Sequence, residues 1–470
     1  MRDHLTPRIK GLPLPAEAAV AGGAAFALYL ATLQRGLSLP DSAVILEAMR
    51  RPVLSAFACN HTLNNLFGWI VVRLVPFGSP AWRGNLVAAC YGAATAALFY
   101  ALVRRLGASR SLAAVCTASM AVSHGVWWHA TVVENYLLSA VFFLACGLLL
   151  THAEPETEQA WPRRRRFALG FLAGLSLLNH LQNCLLLAGC LLAPGHRGWR
   201  RGTAPSLAGA LLGLAPYLVL AVWETVGGRA GAAPLAWLLG GGGFGAAMFR
   251  HATGGGVWEL ARLLVWNHPG PFLAAVIGGL AWTLTPCRLF PSLRPGGVMP
   301  SSRLELGRSK RASKRADEEE GVREGSKKSS TLDPAHKPHL TRHTHSTRFL
   351  PPLPSTPLWR LAWVVIAGNA LFFAGYATWD RFPFFLVVWV AADVAAAGWL
   401  AACERRRPAV VRRLALPLLA LGVAAAPLFY AWQTRRLAEG RAGWLTRPWA
   451  PVAEAYCGRY DLAGMLLDPV

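Results

Sequence analysis

Polar side chains that can move protons or bind anions recur at a few places in a chain that is otherwise strongly apolar. Asp41 and Glu47 follow the first apolar segment, and His61 lies further along the same loop. A second group lies in the run 127–136 (Trp-Trp-His-Ala-Thr-Val-Val-Glu-Asn-Tyr) between two later apolar segments. Carboxylates and imidazoles are the usual general acids and bases of active sites. Because charged groups at membrane depth are costly and mostly face cavities, we treat both groups as functional candidates.

The composition is typical of a membrane protein. The 470 residues are 54% hydrophobic, the mean hydropathy is +0.35, and apolar runs long enough to cross a bilayer recur. The formal charge of +23 comes from short bursts of Lys and Arg between those runs, so we expect no nucleic-acid partner. The nine cysteines have neither metal-ligand nor disulfide spacing, and we expect no metal and no cofactor.

The apolar runs predict an all-α fold with about eleven transmembrane helices. We expect the first helix to be retained as an anchor, because no small-residue cleavage site follows it. The predicted crossings are 16–34, 85–103, 111–127, 135–151, 167–180, 182–194, 205–223, 271–287, 358–376, 383–402 and 412–431.

Loop charges predict the orientation of this fold. If the N-terminus is cytoplasmic, six basic clusters share the cytoplasmic side. They are the N-terminus, 104–110, 163–166, 197–201, the insert 288–357 and 405–413. The opposite face then carries 35–84, 127–136, 224–270 and 376–383, where acidic and aromatic residues gather. The membrane itself is either a bacterial inner membrane or the endoplasmic reticulum.

Two segments of the first outer loop (35–84) are apolar but too short or too interrupted to span the bilayer. For 43–57 and 62–77, the presence of Trp69 and Arg73 favours helices that lie in the membrane interface. A true crossing at either place would invert every later loop and separate the basic clusters.

The stretch 167–194 is too long for one ordinary helix and short for two. Basic runs stand at both ends, so both ends should be cytoplasmic, which predicts a hairpin with 179–183 (Asn-His-Leu-Gln-Asn) at its apex. Legs of about 14 residues reach only about 21 Å, less than the hydrocarbon core. The apex would therefore lie below the outer surface in a watery or protein-lined cavity. The alternative is one tilted helix with a buried histidine.

Composition divides the chain into four parts. They are a transmembrane core (1–287), a disordered basic cytoplasmic insert (288–357), a second transmembrane block (358–432) and a short polar tail (433–470). Four histidines of the insert, at 336, 339, 343 and 345, could bind metal, but a solvated polar tract is the favoured interpretation.

Several short motifs follow one another in a set order, each on a consistent side of the membrane. They are Asp41-Ser42, Asn60-His61, Arg83-Gly84-Asn85-Leu86, Trp127-x-x-Ala130-x-x-x-Glu134-x-Tyr136, Gly174-Leu175 with Asn179-His180, Gly213 to Tyr217, and Asp380-Arg381-x-x-Phe384-Phe385. None is specific alone, but the set resembles the protein O-mannosyltransferase-like membrane family, a branch of the C-type glycosyltransferases. The matches cover most of 16–287 and 358–402.

The resemblance implies a C-type glycosyltransferase fold with interfacial helices in the first outer loop. It also implies transfer of a sugar, mannose in the family, from a polyprenyl-phosphate donor in the lipid bilayer to a hydroxyl of a protein or glycan acceptor on the non-cytoplasmic face. The family writes Asp-Ser-Gly-Glu and His-Pro-Pro-Gly, whereas Ala43 follows Ser42 here and Thr62 follows His61. These departures indicate a divergent member, with either a different acceptor or a weakened activity.

Two other functional classes remain open from the sequence. One is a lipid or solute transporter, and the other is a non-catalytic membrane scaffold derived from the same fold. The chain shows no internal repeat, and its polar groups lie at one face, whereas a transporter site lies near the bilayer midplane. These two features favour the glycosyltransferase.

Asp41 and Glu134 are the candidate catalytic residues. Asp41 lies where the first helix leaves the membrane and matches the family position, so we expect it to take the acceptor proton. Its alternative role is the N-cap of a helix through 43–49. Glu134 would orient the acceptor or bond a sugar hydroxyl, and its alternative is an ion pair with an outer-face arginine.

The candidate substrate-binding residues are histidines, of which His61 and His129 would bind sugar or phosphate, and one tyrosine. The arginines that run against the positive-inside pattern are expected to bind the donor phosphate. The full set is His61, His129, Tyr136, His180, Arg50, Arg51, Arg73 and Arg381. The alternative for each arginine is contact with lipid headgroups, and for the histidines an interfacial position without a ligand. Asp380 beside Arg381 is interpreted as a structural pair.

Overall fold

Every regular element that the structure describes is helical, as predicted. The computed structural model describes residues 13–37, 40–57, 60–151, 162–193, 195–229, 255–268, 270–284, 357–374 and 385–438. The helices are α1 (Leu14–Ala31), α2 (Pro40–Arg50), α3 (Thr62–Leu74), α4 (Pro80–Arg105), α5 (Arg110–Ala121), α6 (His124–His129), α7 (Tyr136–Thr151), α8 (Arg163–Leu175), α9 (Cys184–Leu192), α10 (Gly195–Val226), α11 (Gly255–Asn267), α12 (Pro271–Leu284), α13 (Pro357–Ala374), α14 (Leu386–Arg406) and α15 (Leu416–Ala438).

Five of these helical segments are long and apolar enough to cross a membrane by length and composition. They are 14–31, 80–105, 203–226, 386–406 and 408–432, and four shorter apolar helices accompany them. The chain is a multi-pass membrane protein, whereas the number of eleven crossings stays a prediction. Residues 288–356 of the insert and residues 439–470 of the tail lie outside the described residues. Helix α15 continues to Ala438, beyond the predicted start of the tail at 433.

The basic loops meet at one end of the bundle. Glu17, near the start of α1, pairs with Arg104 at 3.2 Å and with Arg110. At the end of α14, Arg405 donates through Nη1 to the carbonyl of Leu106 at 2.8 Å. Two loops that the charge rule placed on the cytoplasmic side, 104–110 and 405–413, are therefore in direct contact.

The candidate site residues gather at the other end of α1, about 27 Å away along a helix of this length. The indole of Trp127 donates to the hydroxyl of Thr32 at 2.9 Å. The backbone N–H of Gln34 donates to the carbonyl of Thr131 at 3.2 Å. The 127–136 turn thus packs where the chain leaves α1, opposite the basic loops.

Small residues bring α8 and α10 into backbone contact. Gly170 and Gly174 of α8 lie against the backbone of Ser206 and Ala210 of α10, where a Cβ atom would collide. The spacing of four places both glycines on one helix face, and such pairs are a common means of close packing between membrane helices. Gly174 of the Gly-Leu motif therefore serves this packing.

The stretch 167–194 is confirmed as two helices with a break at its polar centre. Helix α8 continues through a 3₁₀ turn (Ser176–Leu178), and a second turn (Leu181–Asn183) leads into α9. The single tilted helix is wrong. The predicted crossing 111–127 is also wrong as one helix, because α5 ends at Ala121 and the short α6 begins at His124.

Helices α2 and α3 occupy the two apolar segments of the first outer loop. At about 17 and 20 Å they are too short to span a bilayer. Phe67, Ile70 and Leu74 of α3 are exposed apolar side chains, as an interfacial helix requires. The sequence prediction missed α11 in the 224–270 loop.

The separation of the two ends predicts a labelling pattern. We expect a cysteine introduced at position 77, an exposed position of the first outer loop, and one introduced at 320 to react from opposite sides of intact vesicles, because their loops fall on opposite sides by the charge rule. A membrane-impermeant maleimide measures this. Labelling of both from the same side would contradict the orientation.

Candidate active site

A short hydrogen-bond network ties the segment of Asp41 to the segment of Glu134. The hydroxyl of Ser42 donates to the carbonyl of Val133 at 3.2 Å. The N–H of Val133 donates to Oδ1 of the buried Asn85 at 2.8 Å. The residue after Asp41 and the residue before Glu134 are therefore in direct contact, although they are 91 positions apart in sequence.

Asn85 also holds the chain that leads from α1 to Asp41. Its Nδ2 donates to the carbonyls of Gln34 at 2.7 Å and Gly36 at 3.0 Å. A buried asparagine needs partners for both ends of its amide, and these three bonds satisfy them with backbone groups of two separate segments. Asn85 thus fixes how the two carboxylate-bearing segments lie beside each other.

Asp41 lies inside a helix, although the surroundings of its side chain are not described. Helix α2 begins at Pro40, so Asp41 is in the first helical turn. The N-cap role of Asp41 stays a prediction. Its catalytic role stays a prediction. Glu134 is described, and it is only 5% exposed.

Four of the predicted binding residues form one continuous row of rings. His61 stacks on His180 with ring centroids 5.2 Å apart and an interplanar angle of 11°. His180 contacts Tyr136 at 5.4 Å, and Tyr136 contacts His129 at 5.7 Å. Tyr136, in the middle of the row, follows Glu134 by two residues. The row joins the first outer loop, the 127–136 turn and the hairpin apex.

Backbone partners decide which ring nitrogens carry protons. His61 and His129 each place Nδ1 on a carbonyl, that of Asn179 at 2.7 Å and that of Gly125 at 2.6 Å. A carbonyl only accepts, so Nδ1 donates, and Nε2 of the neutral ring is an acceptor. His180 accepts the N–H of Gln182 on Nδ1 at 3.2 Å, so its Nε2 carries the proton. The row therefore offers both donors and acceptors.

The ring of His61 acts as a neutral group near pH 7. Desolvation lowers the pKa of His61 to about 4, and the bond to Asn179 offsets only part of this effect. A neutral imidazole hydrogen-bonds hydroxyl groups but carries no charge for a phosphate. Of the roles left open by the sequence, sugar contact therefore fits His61 better than phosphate contact.

The hairpin apex docks on the first turn of α7. Nδ2 of Asn179 donates to the carbonyl of Asn135 at 3.1 Å and to Oγ of Ser139 at 3.0 Å. Asn183 donates to the same hydroxyl at 3.0 Å. The apex is thus buried against protein, as the short hairpin legs predicted, and this contact places His180 in the row.

His61 is held by a compact turn in the first outer loop. Nδ2 of Asn60 donates to the carbonyls of Val53 and Ser55, both at 3.2 Å, and to Oγ1 of Thr62 at 2.8 Å. From α10, the buried carboxylate of Glu224 accepts the N–H of Ala56 at 3.1 Å. The amide of Asn60, a potential glycosylation acceptor, is therefore part of the fold of this loop.

The three predicted arginines that the structure describes lie outside the ring row. Arg50 and Arg51 both pair with Glu47 of their own helix end, and the side chain of Arg51 is 88% exposed. Arg73 lies over the ring of Trp69 at 5.6 Å. Asp380 and Arg381 are outside the described residues. Phosphate binding by these arginines stays a prediction.

Sequence reasoning missed three residues that build the site. Asn85 was noted only as part of a motif, and Glu224 directly follows the predicted crossing 205–223. Asn267 lies in 224–270, which was predicted to be an outer loop. Each is a polar residue beside an apolar run, which is the one available signal. Within the described ranges no three metal-ligand side chains converge, and the absence of a metal remains an expectation.

Known proteins are similar to the part of the chain that contains the ring row. Residues 61–194 match the family model "Protein O-mannosyl-transferase TMEM260 N-terminal domain". Over 156 residues the chain is 31% identical to the protein O-mannosyl-transferase TMEM260 of Mus musculus, covering 33% of this chain and 22% of that protein. The chain thus spans about a fifth of the curated relative that it matches.

Solved structures match the fold over nearly the whole chain. ArnT from Cupriavidus metallidurans in the apo state has a TM-score of 0.52 at 13% identity, covering 96% of this chain and 76% of that one. The same protein bound to undecaprenyl phosphate gives 0.50 at 14%, covering 96% and 77%. The chain therefore has the fold of ArnT. Together the comparisons confirm the resemblance seen in the motifs.

Proposed function

We propose that the protein moves a sugar from a polyprenyl-phosphate donor to an acceptor hydroxyl of a protein or glycan on the non-cytoplasmic face of the membrane. The observation that carries the proposal is the network of Ser42, Asn85 and Val133. It brings the Asp41 and Glu134 segments together beside the ring row. A carboxylate base for the acceptor hydroxyl and hydrogen-bonding groups for the sugar are two of the contributions that glycosyl transfer needs from the protein.

The reaction needs one base and one leaving group. The acceptor oxygen forms a bond to the anomeric carbon while the bond from that carbon to the phosphate oxygen breaks. The lipid phosphate leaves with the bonding electron pair, and Asp41 takes the acceptor proton. Glu134 orients the acceptor or a sugar hydroxyl, and because its side chain is buried it can do so with little solvent competition.

The ring row supplies the sugar contacts in this proposal. The acceptor nitrogens of His61 and His129 and the donor nitrogen of His180 match sugar hydroxyls, which both donate and accept. The ring of Tyr136 adds an apolar face between them. No bound metal or cofactor enters these steps.

A lipid-linked donor is supported by the fold. The ArnT structure of the same fold holds undecaprenyl phosphate. Apolar helices of this chain would hold the prenyl tail, and arginines of the outer loop would hold the phosphate. Mannose is the first sugar to test, because it is the sugar in the names of the matched family and relative.

Purified full-length protein with labelled polyprenyl-phosphate sugars tests the proposal. We expect release of the lipid phosphate together with transfer of the label to an added protein or glycan acceptor. A preparation that binds no such donor and releases no lipid phosphate with any sugar would overturn the proposal. Movement of the intact lipid between leaflets without cleavage would favour the transporter.

Arg73→Ala should raise the donor KM about tenfold with a smaller change in kcat, because a charge-assisted bond to phosphate is lost. Steady-state transfer at varied donor concentration measures this. Arg412→Ala, an exposed arginine near the basic end of the bundle, is the matched control. An unchanged donor KM for Arg73→Ala would show that Arg73 contacts only Trp69 and lipid headgroups.

A further inference from the structure

Helix α6 is capped by a residue from a distant part of the chain. Ser123 precedes the helix, but its hydroxyl donates to the carbonyl of Met120 at 2.7 Å, and it makes no cap bond. The N–H of Gly125, in the first turn, instead donates to Oδ1 of Asn267 at 2.7 Å. Asn267 ends α11, 142 positions later. The cap therefore comes from the segment 224–270, which was predicted to be an outer loop.

The orientation of the Asn267 amide is set by this bond. The N–H of Gly125 can only donate, so Oδ1 must face it and Nδ2 must face His268. Nδ2 lies 2.8 Å from Nε2 of His268, which therefore accepts. The same Nε2 of His268 lies 3.4 Å from Oδ1 of Asp393 in α14. The side chains of Asn267, His268 and Asp393 are all at most 2% exposed.

The capped residue, Gly125, also holds His129. The carbonyl of Gly125 accepts Nδ1 of His129 at 2.6 Å. Asn267 and His129 thus bond the two backbone groups of a single residue. A movement of Gly125 moves His129, and with it the end of the ring row that contacts Tyr136.

Helix α6 depends on tertiary contacts for its position, and the bond from Asn267 is the one that holds its first turn. It has six residues, fewer than an isolated helix needs to be stable. Loss of the cap would leave a buried N–H without its acceptor at the first turn, which favours a shift or fraying of that turn.

We propose that Asn267 is a positioning residue, supported by His268, that sets the place of His129 in the candidate active site. The inference rests on the proposed function, since His129 matters there as a sugar contact. It makes the late helices α11 and α14 part of the site, although neither supplies a group to the ring row among the described residues.

A double-mutant cycle of Asn267→Leu and His129→Gln tests this coupling. Asn267→Leu should lower kcat about tenfold, and His129→Gln should lower it by a similar factor. Because Asn267 acts through His129, Asn267→Leu should cost less than twofold in the His129→Gln background. His268→Phe should show a smaller loss that also vanishes in that background. Equal losses of Asn267→Leu in both backgrounds would overturn the inference, since a general loss of stability acts independently of His129.

Asn369→Leu is the matched control. Asn369 is also a buried asparagine of an apolar helix, and its Nδ2 donates within that helix to the carbonyl of Val365 at 2.8 Å. We expect this variant to keep kcat and to show the same loss as the wild type when His129→Gln is added. A coupling to His129 equal to that of Asn267 would show that any buried asparagine has this effect, and the inference would be wrong.

Chemical labelling keeps the inference testable apart from activity. His129 has no exposed surface, so diethyl pyrocarbonate should label it slowly in the wild type and several-fold faster in Asn267→Leu, read by peptide mass spectrometry. Unchanged labelling of His129 together with unchanged kcat would overturn the inference. If the wild type transfers no sugar at all, the proposed function fails, and the labelling ratio alone decides whether Asn267 holds His129.

Discussion

Asp41→Asn should lower sugar transfer by at least about 10²-fold, because the amide keeps the size of the side chain but cannot take the acceptor proton. Donor binding should change little, since Asp41 contributes nothing favourable to holding an anionic lipid phosphate. Single-turnover transfer and direct binding of a labelled polyprenyl-phosphate sugar measure the two quantities separately.

One control variant and one comparison variant accompany Asp41→Asn. Glu47→Gln alters the other acid of the same helix, which pairs with exposed arginines, and should keep full transfer. Glu134→Gln should lower transfer by less than Asp41→Asn, because positioning contributes less than loss of the base. Transfer by Asp41→Asn at the unmodified rate would leave the family likeness as the main support for a glycosyltransferase.

The course of the chain could largely be predicted from charge and hydropathy. Basic runs on both sides of 167–194 require an even number of crossings, and the break at Asn179–His180 follows from that requirement. The end of α5 at Ala121 could not be predicted, because the apolar run continues through Trp127 without a proline or glycine break before Gly125. The turn between α5 and α6 is held by the local bond of Ser123 to Met120 and by tertiary bonds, such as that of Trp127 to Thr32.

The members of the site were easier to predict than their arrangement. Histidines and a tyrosine on one predicted face were identified by type, since polar rings beside apolar spans are few. Their contact depends on Asn179 and Ser139, which meet across 40 positions of sequence. No local pattern encodes such a pairing. The pairing of Arg50 and Arg51 with Glu47 is local, since both lie within one turn of the same helix end, and the i to i+3 or i+4 spacing could have indicated it.

The distribution of polar bonds gives a reason why the divergent motifs are compatible with the fold. In the first outer loop, Ala43 and Thr62 replace the residues that the family carries. Thr62 donates to the carbonyl of Ser55 at 2.9 Å and accepts from Asn60, so it closes the turn that holds His61. The hydroxyl of Thr62 therefore stabilises the turn that holds His61.

Asn85→Leu should lower transfer about 10²-fold and also destabilise the protein. Leucine has nearly the same size but none of the three hydrogen bonds, so the carbonyls of Gln34 and Gly36 and the N–H of Val133 lose their partners. An unsatisfied buried polar group costs about 1–3 kcal/mol, so the free energy of unfolding should fall by roughly that amount or more. A displacement of about 1 Å between reacting groups can cost about 10²-fold in rate.

Transfer per folded molecule separates these two effects. Thr95→Val is the control, because Thr95 is buried in the same helix and its hydroxyl bonds the carbonyl of Tyr91 in that helix at 2.8 Å. It should lose some stability and keep kcat. For Asn85→Leu we expect the fraction that remains folded to show the lower kcat, with a donor KM close to that of the wild type. Since the network joins the two acidic segments, a full kcat in that folded fraction would mean that Asp41 and Glu134 do not act together.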